Sequence, residues 1–154
     1  MVGARRGGLR TLAIDLGGAR CGVAIDDELG KLAHPRPNLP AKDRKVLLES
    51  LVALAAVEHV GRFVLGLPLD LRGREGRSAE RVRAFAHQLA DLSGLDVVLW
   101  DERLTTVEAA RALHQGGHDA RAQKSKIDGA AAATILQAFL DARRAARKRK
   151  EAPT

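Results

Sequence analysis

The sequence predicts an α/β domain built on a mixed sheet of five strands flanked by helices. Two observations predict it. Five short apolar runs punctuate the chain, and the first three are separated only by short turns, as in an antiparallel meander. Each of the last two runs is reached through a helix-length stretch, which sets it parallel to its neighbour.

The elements follow in order. TLAIDL (11–16) is an apolar run ending in a carboxylate and then Gly17-Gly18, a buried strand stopped by a turn. CGVAID (21–26) is the second strand, DDELG a turn, and LAHP the start of a third. Pro35, Pro37 and Pro40 break any continuation, so 34–41 reads as a connecting loop. A helix is expected over 42–58, with Leu47, Leu51, Leu54 and Ala55 on one face. RFVLGL is a strand too short for a helix, and PLDLRGREGRS (68–78) is a loop rich in Arg and Gly. A helix over 79–92 places Val82, Phe85, Ala86 and Leu89 at helical spacing, and Gly94 ends it. DVVLWD (96–101) is the last strand. Thr105 and Glu108 form a capping box that opens a helix over 105–114. After a basic loop, a final helix over 127–145 carries Ala132, Ile135, Leu136, Phe139 and Leu140, with a frayed tail beyond 146.

Composition bounds the class. With 154 residues, 45% hydrophobic and 29% charged, the chain is the size and make-up of one folded domain. A single cysteine, Cys21, excludes a disulfide framework and a cysteine-rich zinc site. No apolar run approaches the length of a membrane span, and the basic start MVGARRGGLR leads into a strand, not a secretory core. A soluble cytoplasmic protein that does not enter membranes is expected.

The net charge of +7 is unevenly placed. Arg5, Arg6 and Arg10 lie in the first ten residues. Six basic residues stand against Glu151 in 142–154, and the stretch between carries 17 basic and 18 acidic residues. The organisation read from this is a basic extension (1–10), a nearly neutral domain (11–141) and a basic tail (142–154). Basic ends attract nucleic-acid phosphates, although a solubilising tail has the same composition.

The acidic residues sit oddly for plain solvated charge. Asp15 ends one apolar strand, Asp101 and Glu102 end another, and Asp128 opens the last helix. Carboxylates at the ends of parallel neighbours share one rim of a sheet, where α/β folds place ligands. Clustered carboxylates repel unless a cation sits among them, and hard oxygen ligands suit Mg²⁺ or Mn²⁺. Asp128 also has a plain alternative, a helix cap.

The stretches IDLGGARCGVAI, VLGLPLDLRGREG, VVLWDERLTTVEA and KIDGAAAATILQAFL, in this order and spacing, resemble the YqgF/RuvX family. The resemblance covers about 11–141. It implies a ribonuclease H-like fold and a nuclease acting on Holliday junctions or on precursor 16S ribosomal RNA. It implies an acidic triad at Asp15, Glu102 and Asp128, which would hold the metal and do the catalysis. The first motif's arginine falls on Arg20, and its phosphate-loop glycines fall on Gly17 and Gly22. This chain departs from the family where Asp70 replaces a usual Asn and where Gly18 and Ala19 replace a common Thr and Lys.

Other residues take weaker roles. Arg20 is open to a bidentate phosphate contact or to pairing with Asp26 or Asp27. Arg72, Arg74, Arg77, Arg81 and Arg83 surround the Gly-rich loop, and positive charge at that helix start opposes the helix dipole. A phosphate clamp reads better there than a solvated face, and Lys124 and Lys126 are candidates for the same work. Arg103 receives no catalytic role. The aromatic residues Phe63, Phe85, Phe139 and Trp100 read as core, and Cys21 as a small buried residue. A non-catalytic nucleic-acid-binding factor is the competing reading. An actin-like ATPase would need a second large domain, for which 154 residues leave no room. Two symmetric nicks in a junction would call for a homodimer.

Overall fold

The computed structural model describes residues 9–105 and 128–151. Its elements are β1 (Arg10–Leu16), β2 (Arg20–Asp26), β3 (Ala33–Pro40), α1 (Arg44–Val57), β4 (Val60–Leu67), α2 (Arg77–Ser93), β5 (Asp96–Asp101), a single 3₁₀ turn (Glu102–Leu104) and α3 (Ala130–Glu151). The strands form one sheet in the order β3-β2-β1-β4-β5. β1, β2 and β3 pair antiparallel, while β4 and β5 run parallel to β1 and to each other. The number and directions of the strands match the expected mixed sheet. The expected 105–114 helix, apart from Thr105, and Lys124 and Lys126 lie outside the described residues.

Alternation along the strands divides the core in two. Leu12, Ile14, Val23, Ile25, Phe63 and Leu65 face α1 and α2 and pack with Leu47, Leu51, Phe85 and Leu89. The opposite face carries small residues, Ala13, Ala24 and Val64, and against them lie Ala132, Ile135 and Leu136 of α3. Short side chains on the sheet and Ala131 and Ala132 on the helix permit a close approach at the N-terminal end of α3. Trp100 and Phe139 close that layer in an edge-to-face contact with centroids 6.0 Å apart.

Three elements differ from their sequence reading. The stretch 34–41 is not a loop: β3 continues through its prolines to Pro40, with one shift of register against β2 between Arg36 and Leu39. It does so because β3 is an edge strand, where a missing N–H on the outer side breaks no ladder bond. The final helix is not frayed beyond 146 but continues to Glu151, so position 142 falls inside a continuous helix. The 68–78 loop contains a bridge between Leu69 and Glu75. Helix α1 begins as expected, with the Asp43 side chain accepting from the Val46 N–H. Gly94 ends α2 in the left-handed conformation at φ 71°. No helix among the described residues is long and apolar enough to cross a membrane.

The ends of the sheet are tied by charge. Asp26 is buried at the end of β2, accepts the Thr11 N–H at 3.0 Å, and lies 3.9 Å from the Arg10 guanidinium. Burial raises its carboxyl above the usual range, and the Thr11 N–H and Arg10 only partly oppose that rise. A raised folded-state value means that the folded chain takes up a proton before the unfolded chain does. Stability contributed by this group therefore increases as pH falls through the raised value toward 3.8, and is lost at neutral pH. Asp26→Asn keeps an acceptor for Thr11 and removes the titration. In paired thermal melts from pH 7 to pH 4, the parent should gain stability relative to this variant as pH falls. A flat or opposite difference would contradict the assignment.

Candidate active site

Asp15 lies at the end of the central strand, on the α3 face with Ala13. Both residues beside it in the sheet lack side chains. Gly22 is its partner in β2, and Gly66 follows Leu65, the β4 partner of Ile14. A methyl group on Gly22 would stand 3.4 Å from the Asp15 Cβ and 3.8 Å from both the Ala132 Cβ and the Asn38 Oδ1. One on Gly66 would stand 2.7 Å from the Glu102 Oε1 and 2.7 Å from the Ile135 Cδ1. Gly66 thus provides the space through which the Glu102 side chain reaches back over β4 toward Asp15. A lone glycine inside RFVLGL is the sequence signal for such a close approach, and the sequence reading made no use of it.

The result is a cleft of about 180 Å³ lined by Asp15, Leu16, Gly17, Gly66, Pro68, Ser78, Arg81, Val82 and Glu102. Two of the three expected carboxylates, Asp15 and Glu102, therefore share one cavity at the carboxyl ends of parallel strands. Asp128 stands on the other side of Gly22, in the turn before α3, where its Oδ1 accepts from Asn38 Nδ2 at 3.2 Å. Asp128 is not the cap of α3. The helix begins with Ala133 N–H donating to the Gly129 carbonyl, which leaves Asp128 one residue outside the capping position. Among the described residues, no group of three His, Cys, Asp or Glu side chains is gathered tightly enough to hold an ion. The donor set, three carboxylates along one rim, nevertheless has the hard-oxygen chemistry that Mg²⁺ or Mn²⁺ takes.

The expected basic residues separate into groups. Arg81 enters the cleft wall and donates to the Leu16 carbonyl at 3.3 Å. Arg20 is exposed at the start of β2, at the same end of the sheet as Asp15. The alternative pairing of Arg20 with Asp26 or Asp27 does not occur, because a seven-residue strand separates its ends by about 20 Å, and Asp26 meets Arg10 instead. Arg74 pairs with Asp70 at 2.9 Å, and Arg83 pairs with Glu75. Arg72 and Arg77 are exposed beside them. The Asp70 carboxylate also accepts the backbone N–H groups of Arg74 and Arg72, at 2.8 and 2.9 Å. The Arg74 N–H, first among these contacts, holds the Asp70 carboxyl below its ordinary range. The two backbone bonds need only an oxygen, so Asp at this position keeps the turn that an Asn oxygen would make.

Gly17 is the turn glycine expected of it: its N–H donates to the Arg20 carbonyl, and a methyl group would stand 2.5 Å from that oxygen. Gly22 lies within β2, opposite Asp15, instead of in the turn. Cys21 is fully buried, and its thiol is pushed up to about 12, chiefly by burial and then by the Asp15 charge. It is packing, not a nucleophile. Arg103 pairs with Asp101 at 2.7 Å and lies against Gly73, which braces the Gly-rich loop over the end of β5.

A family model described as RuvX, Holliday junction resolvase, matches residues 9–142. A relative named as a pre-16S rRNA nuclease from Anaeromyxobacter sp. (strain Fw109-5) is 43% identical over 137 residues, covering 89% of this chain and 100% of that one. Another of the same name, from Streptomyces avermitilis, is 43% identical over 148 residues, covering 96% and 94%. Thermus thermophilus RuvC in complex with a Holliday junction substrate superposes with a TM-score of 0.56 at 13% identity, covering 89% of this chain and 96% of that one. The fowlpox virus Holliday junction resolvase gives 0.50 at 12%, covering 87% and 99%. At such low identity the two structures bear on the fold alone, and that fold is the ribonuclease H-like sheet expected from the sequence. The family model spans nearly all of the chain and the relatives match it at 43% identity, so the chain belongs to the RuvX family.

Proposed function

We propose that this protein is a nuclease that hydrolyses phosphodiester bonds in structured nucleic acid, using Mg²⁺ or Mn²⁺ held by Asp15, Glu102 and Asp128. The observation that carries the proposal is the shared cleft of Asp15 and Glu102, with Arg81 in its wall and glycine on either side of Asp15. The names of the 43% identical relatives favour precursor 16S ribosomal RNA as substrate. The fold-level neighbours act on Holliday junctions, and a branched DNA is the second substrate to test. A cytoplasmic location suits either one.

Bound divalent cations supply an activated water and neutralise charge on the leaving oxygen. The chain's own residues do the rest. Asp15, Glu102 and Asp128 present hard oxygens along one rim. Gly22 and Gly66 keep that rim clear of side chains. Arg81 meets a phosphate oxygen at the cleft, and Arg20, Arg72, Arg74 and Arg77 carry the strand beyond it. Lys124 and Lys126, which precede Asp128 in sequence, are proposed for the same phosphate contacts.

Asp15→Asn keeps the size and an oxygen but removes the charge. In Mn²⁺, cleavage of a precursor 16S rRNA fragment and of a four-way DNA junction should fall on the order of 100-fold or more, with the melting temperature preserved. Parental cleavage of either substrate by the folded variant would remove Asp15 from the mechanism. Parental binding with no cleavage by the unaltered protein under any divalent ion would favour the non-catalytic reading. A junction resolvase needs two such sites, so sizing with and without junction DNA tests for a homodimer.

The length of α3 adds a second expectation. Its 22 residues span about 33 Å. Lys148, Arg149 and Lys150 therefore lie roughly one duplex turn away from the rim where the helix begins. Replacing all three by alanine removes no buried side chain. Affinity should fall and the slope of log affinity against log salt should flatten by about two to three charges. The loss should vanish on substrates whose arms are shorter than about 10 base pairs. An equal loss on short and long arms would place the contact elsewhere.

A further inference from the structure

We propose that Asn38 is the positioning residue for Asp128, and that the interrupted pairing of β2 with β3 exists to aim it. The inference rests on the reading of Asp128 as a carboxylate of the active site.

The geometry begins in the edge strand. Cys21 pairs with Leu39 and Val23 pairs with Arg36, so Pro37 and Asn38 of β3 together oppose the single residue Gly22 of β2. This is a β-bulge, a device that re-aims a side chain. In an unbroken strand Asn38 would face the same side as Arg36, whose guanidinium reaches Glu58 at 2.6 Å on the α1 side of the sheet. The extra residue turns Asn38 to the opposite face, where α3 begins. The bulge costs no donor at Pro37, which has no N–H.

On that face the Asn38 side chain grips two consecutive residues. Its Nδ2 donates to the Asp128 Oδ1 at 3.2 Å, and its Oδ1 accepts the Gly129 N–H at 3.2 Å. These bonds fix the amide orientation, since a backbone N–H can only donate and a carboxylate accepts. They also explain the residue type. A donor and an acceptor two bonds apart on one planar group occur in an amide. Aspartate lacks the donor and alanine lacks both.

The turn being gripped has no slack. Gly129 has φ 75°, and a methyl group there would stand 2.6 Å from the Val23 carbonyl and 2.9 Å from the Arg36 carbonyl. The backbone of β2 and β3 therefore sets where Gly129 sits. Asn38 then sets which way the preceding carboxylate points. Among the described residues no helix N–H donates to Asp128, so the Asn38 amide is what orients it. Gly22 completes the arrangement: its missing side chain leaves the Asn38 Oδ1 and the Asp15 Cβ on either side of one vacant position. The motif is not visible in the sequence, because AHPRPNLP reads as a proline-broken connection and the bulge exists only in the register of β3 against β2.

The test uses the full-length chain, with Mn²⁺ alone as the binding probe and cleavage of a precursor 16S rRNA fragment and a four-way junction as the second readout. Variants are Asn38→Ala, Asn38→Asp, Asp128→Asn and the double variant Asn38→Ala/Asp128→Asn. Calorimetric Mn²⁺ affinity should fall about 10- to 100-fold in Asn38→Ala, the usual loss when a ligand's orienting partner is removed. KM for nucleic acid should stay near parental. The drop in affinity should disappear when Asn38→Ala is made in the Asp128→Asn background, whereas any drop in melting temperature from the stranded Gly129 N–H should persist there. Asn38→Asp keeps an acceptor for Gly129 but cannot donate to Asp128, and it sets a second carboxylate beside it. Its turnover should fall even where saturating Mn²⁺ restores its melting temperature. If Asp128→Asn is inactive but both Asn38 variants bind Mn²⁺ and turn over as the parent does, the positioning role is wrong. If folded Asp128→Asn itself keeps parental affinity and rate, the reading of Asp128 fails, and the role of Asn38 fails with it.

Discussion

A carboxylate at the end of the most enclosed strand of a sheet needs room that the sheet does not ordinarily provide. β1 is hydrogen-bonded on both edges and covered on both faces, and Leu12, Ala13 and Ile14 are fully buried. Asp15 is the next residue. It is accommodated because the two positions flanking it, Gly22 and Gly66, have no side chain. The remaining features of the site depend on that. Glu102 can fold back over β4 because Gly66 is bare. The start of α3 can settle on β2 because Gly22 and Ala24 are small beneath it. Any larger residue in this row would displace a carboxylate or lift the helix that delivers Asp128.

This arrangement was partly legible in the sequence. The strands, the helices and the strand-end position of Asp15 and Glu102 follow from local pattern, since burial periodicity and terminal carboxylates are properties of short segments. Features that depend on pairing between distant segments were not legible. AHPRPNLP reads as a loop because three prolines forbid a central strand, and only the strand order reveals that it lies at an edge. Arg20 and Asp26 are close in sequence but sit at opposite ends of one strand, while Arg10, sixteen residues away, is the partner that Asp26 meets. The run of arginines and lysines after Ala145 reads as a frayed tail. It is helical because it continues an already nucleated helix, with cations placed at its favourable C-terminal end.

The same helix gives the molecule an electrostatic axis. Its N-terminus, the positive end of the helix dipole, faces the acidic rim, and its cationic C-terminus lies about 33 Å away. Between them, the Arg62 and Arg143 guanidiniums stack on the Phe139 ring at 5.4 and 5.6 Å. Burial depresses both groups, and each is further depressed by neighbouring arginines, Arg143 and Arg147 for Arg62 and Arg147 for Arg143. Like charges are thus held together away from the acidic rim, fixed by an aromatic ring, by the nearby Asp26 and Asp96 carboxylates and by Arg62 donating to Thr11 Oγ1 at 2.7 Å.

That separation answers a difficulty raised by an acidic site acting on a polyanion. The carboxylates that suit a divalent cation also repel phosphate, so the attraction for the substrate has to come from elsewhere on the surface. Under the proposed function, two basic regions would supply it at different ranges. Arg81 and the exposed arginines of the Gly-rich loop flank the cleft directly, while the end of α3 acts at a distance. Screening at physiological salt limits an exposed charge to about 8 Å, so the distant cations do nothing for a phosphate at the rim. On this reading they would add affinity only when the substrate is long enough to lie along the helix. An extended or branched duplex meets both regions at once and a short oligonucleotide meets one. Under the proposed function, a preference for structured nucleic acid would follow from the spacing of charge along a single helix, without any contact that reads a base.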